Sequence, residues 1–136
     1  MNLYAEKRLL QLVTAFAVCV PLLAGITGAI FPAEMLNASF QSAPSVGLNH
    51  LSYLSGLLLG IGLLFATAIP SIEKRRARFR LLTVIVLVGG LARLANAVSL
   101  HEFSQTTCFA LTMELIVTPA LCAWQHRIAA KYSQMN

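Results

Sequence analysis

Four long apolar stretches separated by short polar ones dominate this chain. A helix needs about 20 apolar residues to cross a bilayer core of about 30 Å. Residues 9–31, 48–69 and 79–100 meet that requirement. Residues 107–124 nearly do, although that stretch is short and carries Glu114 and Pro119. The pattern predicts an all-α fold, a transmembrane four-helix up-down bundle that forms a single domain over residues 1–136. Lys7 and Arg8 precede the first stretch, whose apolar run is roughly twice a signal-peptide h-region, so it reads as a retained signal anchor.

The linkers divide by charge. Lys7 and Arg8 lie before the first span. Lys74, Arg75, Arg76, Arg78 and Arg80 lie around the connection from the second span to the third, and Arg127 and Lys131 follow the fourth. The other two linkers, residues 32–47 and 101–106, hold no Lys or Arg. Positive residues stay inside, so both termini and the 70–80 loop are expected to be cytoplasmic. Residues 32–47 form the one long linker. Pro32, Glu34, Met35, Leu36 and Phe40 suggest a short interfacial helix or cap there.

Composition narrows the class further. Of 136 residues, 57% are hydrophobic and 11% charged. A soluble domain carries roughly 25% charged residues, so water is not the main solvent here. The net charge of +5 raises the question of nucleic acid. The basic residues instead collect at helix ends, where they suit membrane lipid headgroups, and no nucleic-acid partner is expected. Cys19, Cys108 and Cys122 form no C-x-x-C pair, which argues against a disulfide framework, a zinc site or a thiol relay.

Leu against lipid does not drive helices together, whereas small residues that let backbones approach do. The first span carries the stripe Gln11, Thr14, Val18, Pro21, Gly25 and Gly28. The second carries Ser52, Gly56 and Gly60, and the third offers Gly89 and Gly90. These stripes predict helix packing and leave surface for a possible homo-oligomer. Pro21 and Pro119 are expected to kink their helices.

Packing does not explain two charges at membrane depth, Arg93 and Glu114. Each lies about 10 Å beneath the outer ends of the third and fourth spans, counted at 1.5 Å per residue. Consecutive antiparallel helices with a short linker are neighbours, so an Arg93–Glu114 ion pair is predicted. Asn96 stands one turn above Arg93, and Thr107 and Thr118 flank Glu114. Asn49, His50, Ser52 and Tyr53 open the second span on the same side. Together they outline an outward-facing polar chamber. Three readings of Arg93 stay open: snorkelling to headgroups, a structural pair that sets helix register, or a ligand site. His50 reads either as a headgroup contact or as a base, and Tyr53 either as an interfacial anchor or as part of the site. One His and one Glu at similar depth are too few for a metal, and neither metal nor cofactor is expected.

The segments NHLSYLSGLLLGIGLLF, GGLARL and LTMELIVTPALCAWQHR resemble the DUF4345 family of small bacterial membrane proteins, over nearly the whole chain. The resemblance implies a four-helix membrane bundle in the bacterial inner membrane. It carries over Tyr53, Arg93 and Glu114, and it implies no biochemical role. Where that family's second-span motif carries Arg before Tyr, this chain has Ser52.

Three functions follow as expectations. The first is a non-enzymatic module that binds a lipid, quinone or other amphiphilic small molecule through Arg93, Glu114, Asn96, His50, Tyr53 and Asn49, or that assists a larger complex. The second is a small oligomeric transporter using Glu114, although an ion-pair partner works against the proton cycling such a role needs. The third is an intramembrane enzyme that uses His50, Tyr53 and Glu114 on a lipid-like substrate.

Overall fold

The computed structural model describes residues 2–32 and 45–134. They form four long helices: α1 Leu3–Ile30, α2 Ser45–Ala68, α3 Arg76–Leu100 and α4 Gln105–Ser133. No strand occurs among the described residues. Each helix is long and apolar enough to cross a membrane. The fold class and the four spans are those that the hydrophobic pattern predicts.

The helices extend beyond their apolar runs. α1 begins at Leu3 and α4 continues to Ser133, because hydropathy marks the hydrocarbon slab while the backbone ladder continues into the interface. α2 stops at Ala68, two residues before Pro70, which has no N–H to donate and disfavours helix in the residue ahead of it. The cap expected over residues 32–47 falls mostly outside the described residues, and its last three residues begin α2.

Large apolar side chains face outward on all four helices. Leu12 and Phe16 on α1 are 70% and 80% exposed, Leu63 on α2 53%, Val88 on α3 61% and Ile116 on α4 64%. Water would not tolerate such a surface, and lipid does. The chain is a small multi-pass membrane protein.

The chain divides into two compact units: Met1–Thr14 with Ala68–Asn136, and Ala15–Thr67. In the second unit α1 meets α2 at Gly25. A Cβ there would sit 2.7 Å from the Leu59 backbone nitrogen and 2.8 Å from its Cα. Only a glycine admits a backbone so near. Gly62 answers from α2, with the Leu22 side chain 3.0 Å from where its Cβ would be. The α1 stripe is the packed face as expected, with Thr14, Val18, Gly25 and Gly28 buried. The α2 stripe is not. A Cβ on Gly56 or Gly60 would meet nothing within 4 Å, and the buried α2 positions are Ser55, Gly62, Phe65 and Ala68. Gly25 supplies the room for close approach, so α2 brings the backbone of Leu59 rather than a stripe of its own glycines.

At one end of the first unit a polar clasp joins the start of α1, the loop after α2 and the end of α4. Glu6 is 3% exposed and accepts from both Arg127 and Lys131, the latter at 2.9 Å. Lys7 pairs with Glu73 at 3.0 Å and lies 5.5 Å from the Tyr132 ring centroid. The loop after α2 leaves carbonyls that no helix ladder uses, and two buried or half-buried glutamines claim them. Gln11 donates to the carbonyls of Ile69 at 2.8 Å and Pro70 at 3.2 Å, and Gln125 donates to that of Ile72 at 2.6 Å. Leu10, Ile72, Phe79 and Ile128 close an apolar core beside it, each 1% exposed or less.

Candidate functional site

The site begins with a tight turn. α3 ends at His101, whose φ of 53° is left-handed, a conformation that costs a residue with a side chain roughly 1 kcal/mol. The turn closes with Glu102 donating from its backbone N–H to Ala97 at 3.0 Å. Ser104 then caps α4 by accepting from the Thr107 N–H at 3.2 Å. This cap starts α4 two residues ahead of the expected Thr107, so Glu114 lies nine residues into the helix. Arg93 lies seven residues before the end of α3. At 1.5 Å per residue the two are about 14 Å and about 10 Å from their helix ends. The depths differ by little enough for the arginine stem to span.

α4 is not uniform. Gln105–Thr112 is α-helical, Met113–Val117 is a π turn, and Thr118–Ser133 is α-helical again. Pro119 explains the change. It has no N–H, and its ring crowds the carbonyl four residues back. Widening the preceding turn by one residue relieves that crowding. Thr118 secures the wide turn by donating both its N–H and its hydroxyl to the Met113 carbonyl, the hydroxyl at 2.8 Å. The expected kink therefore takes the form of a π turn, and Glu114 sits within it.

Gly90 brings α3 against that turn. A Cβ at Gly90 would lie 2.9 Å from the Glu114 Cβ and 2.7 Å from Leu115 Cδ2. Gly89 next to it would meet nothing. One turn beyond Gly90, Arg93 closes on Glu114 through a two-point fork. Nε donates to Oε2 at 3.0 Å and Nη2 to Oε1 at 2.9 Å. A planar guanidinium matched to a carboxylate in this way is the strong form of ion pair. The carboxylate is largely enclosed, with 19% of its side chain exposed, while the Arg93 side chain is 47% exposed.

The predicted ion pair is thus present. The other expected members stand apart from it or in the other unit. Asn96 is exposed one turn above Arg93 and makes no side-chain hydrogen bond among the described residues. Thr107 and Thr118 serve the cap and the π turn rather than the pair. Asn49, His50 and Tyr53 belong to the second unit, near the start of α2, and all three are exposed. Sequence reasoning missed the clasp. Its signal was Glu6 and Glu73 lying among basic residues, and Gln125 completing the periodic face Leu121, Gln125, Ile128.

Comparison with known proteins adds one finding. The family model described as a domain of unknown function, DUF4345, matches residues 9–125. No curated protein and no solved structure matches. The match covers most of the chain, which belongs to the DUF4345 family.

Proposed function

We propose that this DUF4345 protein binds an amphiphilic small molecule or lipid at Arg93, as a non-enzymatic module of a bacterial inner membrane with both termini cytoplasmic. The observation that carries this reading is an arginine at membrane depth that is paired on one side and 47% exposed on the other. Ionisable groups within spans are expensive and mark function by default. A register-setting pair needs no such opening, and Glu114 already has its partner. A proton-coupled role for Glu114 loses ground, because both its oxygens accept from Arg93. The orientation rests on the basic residues, which gather beside the clasp end of the first unit and not beside the α3–α4 turn.

Native mass spectrometry of protein extracted gently from its own membrane tests the reading. A retained amphiphile is expected on wild type and reduced on Arg93→Lys, since lysine is a point charge without the fork. Protein that emerges bare from several mild detergents would overturn it.

A further inference from the structure

The fork leaves half of the guanidinium unclaimed. Glu114 occupies the edge formed by Nε and Nη2. The opposite edge, Nη1 with the second hydrogen of Nη2, has no acceptor among the described residues. An N–H at membrane depth is costly to leave without an acceptor. No described residue fills that edge, which is open to an oxygen from a bound molecule.

The charge of the site selects which oxygen. Arg93 and Glu114 together are neutral, and the pair is already satisfied as an ion pair. Adding an anion would leave one net negative charge within the apolar slab, close to a carboxylate that cannot withdraw. A neutral carbonyl oxygen accepts from the same edge without that cost. Resting on the amphiphile reading above, we infer that the site takes a neutral carbonyl-bearing amphiphile, an ester or a ketone, and discriminates against anionic headgroups. Glu114 is then a selectivity residue, because it cancels the charge that would otherwise draw an anion. The nearby Gly90 contact and the π turn keep that carboxylate beside the arginine.

Two probes with equal chains and different heads test this. Methyl hexadecanoate offers a neutral ester carbonyl, and hexadecanesulfonate an anion that stays ionised. Full-length protein in a detergent with an uncharged headgroup is offered both, and retained probe is read by native mass spectrometry. Wild type is expected to favour the ester by about tenfold, the value of one hydrogen bond to a charged group. Glu114→Gln keeps a polar side chain of the same shape but gives the site a net positive charge, and its preference is expected to reverse toward the sulfonate. Arg93→Lys is expected to lose about tenfold in ester retention.

A wild type that favours the sulfonate overturns the inference, and this arm needs no variant to fold. Equal retention of both probes by wild type also overturns it, as does a folded Glu114→Gln protein with an unchanged preference. Each of these three results leaves the amphiphile reading in place. Retention of neither probe, by wild type that also emerges bare from its own membrane, removes the amphiphile reading itself.

Discussion

Two ionic clusters hold the first unit, and they are built in opposite ways. At the centre of the clasp, one buried carboxylate faces two cations. Glu6 is 3% exposed and accepts from Arg127 and Lys131, while Gln11 and Gln125 take up the loop carbonyls. At the α3–α4 pair, one carboxylate faces one arginine whose outer edge is open. The clasp encloses its carboxylate more tightly, with 4% of the Glu6 side chain exposed against 19% for Glu114, while the cations of both clusters are about half exposed or more. The cations of the clasp lie at helix ends, where water reaches them, so it tolerates an excess of charge. The pair lies within the span, where an open N–H has no ready partner. The difference separates a cluster that holds helices together from one that holds helices together and also offers a bond.

The largest stability loss is expected at the clasp. Gln125→Ala removes a buried donor, strands the Ile72 carbonyl and leaves a void, at a cost of about 3 kcal/mol. Detergent melting should show it as the steepest fall among these variants. Gly90→Ala comes next, at about 2 kcal/mol, because the new methyl must displace Leu115 and press on the Glu114 Cβ. Its signature is a joint loss of stability and of ligand retention, which the clasp variant should not share once refolded protein is compared.

Arg93→Ala leaves Glu114 without a partner. The loss is expected to be about 1 kcal/mol, discounted because the arginine is 47% exposed. The charge-swapped double variant Arg93→Glu with Glu114→Arg should recover part of it in the same melting assay. No recovery would mean that the pair contributes nothing to the fold. The smallest effect belongs to Gly89→Ala. Its Cβ meets nothing, so the exchange should stabilise α3 by a few tenths to about 1 kcal/mol through helix propensity. Two adjacent glycines with opposite signs would place the packed face of α3 to within one residue.

Much of the spanning architecture was legible beforehand. Hydrophobic runs locate membrane helices because the slab imposes their length. The Arg93–Glu114 pair was legible too, because a short connection forces two helices to be neighbours and residue counting then matches depths. The α1 stripe was read correctly, since Gly25 lies among small residues on one face. The α2 stripe was not, because four-residue spacing of glycines shows where approach is possible and not where a partner sits. The clasp was missed because basic residues at helix ends were read for topology alone. Glu6 and Gln125 act through loop carbonyls and distant termini, which no local period reveals. Pro119 announced a distortion, but only the backbone shows that it takes the form of one extra residue.

That extra residue sets a phase. Each residue advances an α-helix by about 100°, so the wide turn at Met113–Val117 rotates everything after it relative to everything before. Glu114 aims at Arg93, and eleven positions later Gln125 aims at Ile72. An unbroken α-helix between them would put one of the two out of aim. A variant of α4 shortened by one residue within the turn would have to choose between its clasp and its ion pair. The proline thus acts as a gear between the two ends of the span, and the angular offset it creates is what lets a single helix serve both.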